Sequence, residues 1–261
     1  MKFGFIGTGV MAGAMLESAL GKGFLKREDV LVFDKYHPEA AARFGVELAG
    51  SAAEVAAQCD AVQLGMKPQD MPAALEEIDE ALQKKKPLMI SIAAGVPLKK
   101  IAVYVPRAAR LMPNINTTVG QGMTAFCLTE QATQEERALV QGYCACFGKA
   151  IALEEKHFSA FTALAGSAPA FVYLFIDELA RAGVTAGLPK ALALEIAAQT
   201  VFGSAALLKE SDLHPYELID RVCSPGGTTI AGINALREHG FAHAVSQAVL
   251  AAYARGQELG K

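Results

Sequence analysis

The chain lacks any cysteine pattern that could stand in for a packed core. Its five cysteines, Cys59, Cys127, Cys144, Cys146 and Cys223, are odd in number, form no CxxC pair and have no histidine partners nearby. That argues against a disulfide framework and against a metal site, and it fits a reducing cytoplasm. Charge of one sign is equally scarce. With 24 Lys plus Arg against 27 Asp plus Glu the net charge is -3, and the one basic run that stands out, Lys84-Lys85-Lys86, reads as a solvated helix end, so neither nucleic acid nor an anionic membrane is an expected partner. No low-complexity tract and no repeat with a period of roughly 20 to 50 residues is present. A secretory apolar run is missing too, because Gly7, Thr8 and Gly9 interrupt MKFGFIGTGVM, so no export is expected. The charge-free stretch 158–176 approaches a membrane span in length, yet Gly166, Ser167 and Pro169 lie inside it and Asp177 and Glu178 close it. A buried helix preceded by a loop is the expectation there.

What is present is a chain of 261 residues with 52% hydrophobic content, enough for one large domain or two ordinary ones. Short β-rich runs alternate with helical patterns in the first half: KFGFI before 10–21, VLVF before a helix from Pro38, AVQLGM before 71–84, and LMISIAA before 98–103. Such alternation predicts βαβ units and a parallel sheet covered on both faces. Segments 109–112, 123–128 and 150–153 add strands, with a helix at 133–146. Beyond Ser159 the composition turns to alanine and leucine at helical spacing, over 169–182, 189–209, 216–222, 228–239 and 243–259. The fold class is α/β: a Rossmann-like dinucleotide-binding domain over 1–157 and an all-helical domain over 158–261. Helices apolar around most of their circumference cannot leave that surface wet, so at least a dimer is predicted.

Gly7-Thr8-Gly9-Val10-Met11-Ala12 follows a strand and opens a helix, matching GxGxxG/A. Gly7 permits the tight turn, Gly9 lets the backbone approach a pyrophosphate, and Ala12 allows close helix packing. Asp34 ends the second strand where an acidic side chain would bond the adenosine ribose, which favours NADH. The neighbouring Lys35 could instead accept a 2′-phosphate, and a capping Asp beside an exposed Lys is the plainer alternative. Met66-Lys67-Pro68, Ala93-Ala94-Gly95 and Asn114 follow further strands and are cofactor candidates by position, although each also suits an ordinary connection.

One stretch asks for a ligand: CSPGGTTIAGI, residues 223–233. Gly226 and Gly227 can expose successive N–H groups ahead of the helix from Thr228, a nest for a carboxylate. A Pro-Gly turn before a Thr-capped helix is the alternative. The stretch resembles the signature loop of pyrroline-5-carboxylate reductases, and GFIGTGVMAGAM, MKPQDM, SIAAGV, RLMPN, AGSAPAFVYLFIDELARAGV and GLPKALALEIAAQTVFGSA resemble that family in the same order, over nearly the whole chain.

The resemblance implies NADPH- or NADH-dependent reduction of the cyclic imine 1-pyrroline-5-carboxylate to L-proline. Gly226, Gly227, Thr228 and Ser224 would hold the substrate carboxylate and Thr229 the ring nitrogen, with Ser224 and Thr229 the catalytic candidates. It also implies that Glu155 lies near the substrate and Ser167 near the nicotinamide, where a solvated glutamate and a helix cap are the plain readings. It implies a homo-oligomer too, a dimer or a ring of dimers. Val10, Ala168 and Phe171 depart from the family pattern, and Asp34-Lys35 departs from the turns that suit NADP. A β-hydroxyacid-type dehydrogenase would need a catalytic lysine that Lys149, Lys156 and Lys190 do not match in context, and a non-catalytic redox sensor finds no recognition tail.

Overall fold

The computed structural model describes residues 1–259. The chain divides into two compact units: Met1–Gly166 with the segment from Tyr253 onward, and Ser167–Ala252.

The first unit alternates strands and helices: β1 Phe3–Ile6, α1 Val10–Gly21, β2 Val30–Phe33, α2 Ala40–Phe44, β3 Glu47–Leu48, α3 Ala52–Gln58, β4 Ala61–Leu64, α4 Met71–Lys85, β5 Leu88–Ser91, α5 Leu98–Ala102, β6 Ala108–Met112, β7 Gly122–Leu128, α6 Gln134–Ala145, β8 Gly148–Ala152 and α7 Phe158–Phe161. The strands form one sheet in the order β3-β2-β1-β4-β5-β6-β7-β8. Burial on both sheet faces explains the near-continuous apolar strands. Phe3 and Phe5 pack with Met15, Leu16, Tyr143 and Phe147 in one buried cluster. Leu64, Val55, Ile78 and Leu82 belong to a second. Helices α1 and α6 thus cover one side, α3 and α4 the other. The Tyr143 hydroxyl donates to Gln63 Oε1 at 2.7 Å, so a buried phenol keeps a partner.

The parallel sheet expected of the first βα units is present, and among the strands added after it β6 and β7 run antiparallel. Only a short 3-10 segment, Ile115–Val119, joins them, and a parallel return needs a crossover of about a dozen residues or more. The helix expected from Pro38 begins at Ala40, and β3 and α3 were not anticipated.

The second unit holds α8 Ala168–Thr185, α9 Lys190–Glu210, α10 Pro215–Val222, α11 Thr228–Glu238 and most of α12, Phe241–Leu259. Small residues allow α8 and α9 to approach closely: Ala180, Ala193 and Ala197 form their buried cluster, and a Cβ on Gly183 would lie 3.3 Å from that of Ala193. A buried helix was expected near residues 158–176. Instead the helix is preceded by a π-helical turn, Thr162–Ser167, and within one chain α8 leaves Tyr173 and Leu174 57% and 62% exposed. The stretches Glu155–Thr185 and Lys190–Glu210 are long and apolar enough to cross a membrane by length and composition, each with mean hydropathy 1.6.

Candidate active site

Parallel register aligns the strand ends. Ile6 pairs with Phe33 and with Leu64, and Leu64 with Ser91, so the turns leaving β1, β2, β4 and β5 open along one edge, where open α/β sheets bind ligands.

At that edge Gly7 has φ +87, and its N–H donates to the Phe33 carbonyl at 2.8 Å. Gly65 N–H donates to the Ile6 carbonyl at 2.8 Å. A Cβ on Gly65 would overlap the Gly7 carbonyl and lie 2.7 Å from the Cβ of Ala12. The two turns therefore interlock backbone against backbone, which requires glycine at both places. Gly9 has nothing within 4 Å of a built Cβ. It begins α1 with no side-chain cap, and Val10 is 79% exposed. The first-turn N–H groups of Val10 and Met11 thus meet open space at the positive end of the helix dipole, and a dinucleotide pyrophosphate fits there.

Thr8 and Asp34 behave differently. Both are buried, and Asp34 Oδ2 accepts from Thr8 N at 2.6 Å and Thr8 Oγ1 at 2.8 Å. Its Oδ1 accepts from Tyr36 N and His37 N, each at 2.9 Å. Burial acts to raise its pKa, but these hydrogen bonds outweigh it and hold the carboxyl below the ordinary 3.8. Lys35 is exposed, as are Lys67 and Pro68, while Met66 is half-buried. After β5, Ala93 is buried, Ala94 exposed, and Gly95 takes φ +76.

Asn114 is buried and turned to its own chain. Its Nδ2 donates to the Ala165 carbonyl at 3.0 Å, and its Oδ1 accepts from Met123 N at 3.1 Å. Glu155 is likewise engaged, accepting from Leu98 N at 2.7 Å, at the start of α5, and from Arg110 Nη1 at 2.9 Å. Arg110 was not anticipated as a site residue. Its guanidinium lies 4.7 Å from the Phe158 ring centroid, and its Nε is buried without a partner among the described residues. The one available sequence signal was a cation inside the apolar strand AARLM. Arg110 and Glu155 border a cavity of about 480 Å³ with Ala94, Gly95, Ser159 and Thr162.

In the second unit, Ser224-Pro225-Gly226-Gly227 is a turn. Gly227 N–H donates to the Ser224 carbonyl at 3.0 Å, and Gly226 has φ +67, the conformation a type II Pro-Gly turn requires at its third residue. Gly227 is the N-cap of α11, and no side chain caps that helix. The Gly227 N–H is therefore spent inside the turn, whereas the N–H groups of Gly226, Thr228 and Thr229 have no hydrogen-bond partner among the described residues. Ser224 is exposed and Thr229 half-buried. Ser167 is the residue preceding α8, with no side-chain cap bond of its own.

Cys59 and Cys127 lie outside both constellations. Burial pushes the Cys59 thiol up to about 11 and the Cys127 thiol up to about 12, far from a thiolate at neutral pH.

An interlocked glycine turn opening an uncapped helix, at the carboxyl edge of a mostly parallel sheet, defines a dinucleotide-dependent oxidoreductase of the Rossmann class. Curated pyrroline-5-carboxylate reductases from Synechocystis sp. and Escherichia coli are 39% and 38% identical to the chain, each covering 100% of it over 99% and 98% of their own lengths. The chain belongs to the pyrroline-5-carboxylate reductase family. Residues 155–259 match the family model described as pyrroline-5-carboxylate reductase dimerisation, and residues 2–95 match the one described as NADP oxidoreductase, coenzyme F420-dependent. Among solved structures, a pyrroline-5-carboxylate reductase from Coxiella burnetii aligns with TM-score 0.93 at 28% identity over 100% of this chain and 98% of its own. The Plasmodium falciparum enzyme, solved with NADP bound, aligns with TM-score 0.89 at 29% identity over the same shares.

Proposed function

We propose that the protein reduces 1-pyrroline-5-carboxylate to L-proline. The imine carbon takes a hydride, the ring nitrogen takes a proton, and the C=N double bond becomes a C–N single bond. Bound NADPH or NADH supplies the hydride. The single observation that carries the residue assignment is the uncapped start of α11, behind a turn built to leave it open.

In this reading the N–H groups of Thr228 and Thr229 receive the substrate carboxylate at the helix's positive end, with the exposed Ser224 hydroxyl as a further donor. Gly226 and Gly227 give the turn its shape and keep side chains out of the approach. The Thr229 hydroxyl bonds the ring nitrogen and orients the imine carbon. A protonated imine is already an electrophile, so positioning supplies most of the rate. The phosphate turn at Gly7–Met11 and the neighbouring strand ends hold the dinucleotide. Glu155 and Asn114 support these turns through Leu98, Arg110, Ala165 and Met123.

The decisive experiment follows NADH and NADPH oxidation separately with the imine substrate and measures proline formed. Thr229→Ala should lower turnover on the order of 100- to 1,000-fold, as losing one oriented hydrogen-bonding group does at other active sites, while Thr229→Ser retains most of it. An alanine variant as fast as the parent would remove Thr229 from the mechanism.

The helical unit is further proposed to join two copies, with a ring of dimers as the larger assembly. Operation in the cytoplasm and away from membranes completes the reading. Five free cysteines support the first, and apolar helices able to cover one another support the second.

A further inference from the structure

We infer that Asp34 is a positioning residue for the phosphate turn and takes no part in choosing between NADH and NADPH. It stands directly after β2, the position whose carboxylate commonly accepts the adenosine ribose hydroxyls. An ionised carboxylate offers about four lone-pair sites, and here four donors of the same chain fill them: Thr8 N, Thr8 Oγ1, Tyr36 N and His37 N. The residue is only 7% exposed, which leaves a ribose little to touch. These bonds tie the middle of Gly7-Thr8-Gly9 to the loop that leaves β2. They fix the direction in which Val10 and Met11 present their N–H groups. Because charge-assisted bonds of this kind are among the stronger ones, losing them loosens the turn that every dinucleotide must use. The ribose and its 2′-substituent meet other groups. A neighbouring cavity of about 430 Å³ is bordered by Gly9, Val10, His37, Glu39 and Arg43.

The test is equilibrium binding of NADPH and of NADH to the full chain without substrate, read by calorimetry or by quenching of nicotinamide fluorescence. Asp34→Asn places an amide N–H₂ among donors that need an acceptor. It should raise the dissociation constants of both nucleotides by about tenfold or more, and leave their ratio within about twofold of the parent's. Thr8→Val removes one of the four bonds and keeps the backbone, so it should raise both constants by a smaller, equal factor. A loss confined to NADH, or a gain for NADPH, would make Asp34 a ribose ligand and overturn the inference, as would unchanged affinity for both. Should Asp34→Asn fail to fold, the ratio measured for Thr8→Val decides between the same outcomes.

Discussion

Two carboxylates that the sequence marks as ligand contacts are occupied by the chain's own donors. Glu155 accepts from Arg110 and from the first N–H of α5, so its removal leaves a cation with 10% side-chain exposure unpaired. Glu155→Ala should lower stability by about 1–3 kcal/mol, less than a fully buried pair because Glu155 keeps part of its solvent. Glu155→Gln, which retains an acceptor for both donors, should lose less. Thermal or urea unfolding measures both, and an alanine variant as stable as the parent would mean that Arg110 is satisfied another way. Asp34 makes a pH prediction. Its folded pKa lies below the ordinary 3.8, so it stabilises the fold above that value and ceases to as the pH falls through the lower folded value. The difference in unfolding midpoint between the parent and Asp34→Asn should therefore be large near about pH 7 and shrink by about pH 3. A constant difference would locate the effect in packing. The sequence marked Asp34 by its place after the second strand and Glu155 through the family resemblance. It hid their partners, because Arg110 and Thr8 are distant along the chain and only strand register brings them close.

At the scale of the element, two glycines of the phosphate-binding edge separate fold from function. Gly65→Ala drives a methyl onto the Gly7 carbonyl and Ala12, and should destabilise the protein by about 1–3 kcal/mol. Gly9 has open space around it and a φ of -56 that alanine tolerates. Gly9→Ala should therefore leave the unfolding temperature within about a degree or two and weaken nucleotide binding, since its methyl enters the pyrophosphate approach. A melting curve and a binding isotherm on each variant check the pair, and equal effects from both would mean the turn is not the phosphate site. Elements with a strong period were legible: α4 was expected over 71–84 and spans Met71–Lys85. The misses have local causes. β3 has two exposed residues, Glu47 and Leu48, too few to alternate. α3 is a short helix whose start rests on Ser51 Oγ accepting Glu54 N at 3.1 Å, an S-x-x-E start signal that the sequence carries at 51–54 and that was passed over. The reversal at β7 was readable from the short link after β6.

For the whole molecule, the second unit has a core too small to account for its own folding. Its buried apolar residues are three alanines, Ala180, Ala193 and Ala197, with Ile176 packed against them. Small domains of that kind need an additional source of stability. Meanwhile Leu174, Phe202 and Leu207 stand 62%, 65% and 57% exposed. The composition of these helices predicted that a partner must cover them, but which faces turn outward emerges only once α8 packs on α9. Membership of a family whose dimerisation model spans 155–259 identifies that partner as a second copy, and the same faces account for two helices apolar enough for a lipid bilayer. If copies cover one another, folding and association are one equilibrium. The unfolding temperature should then rise with protein concentration in detergent-free buffer. Phe202→Glu places a charge on the outward face without touching the alanine seam. It should shift the species seen by sedimentation toward monomer and lower the unfolding temperature by several degrees. A parent chain that sediments as a monomer, with a concentration-independent unfolding temperature, would mean that the outward faces of α8 and α9 are stable in water.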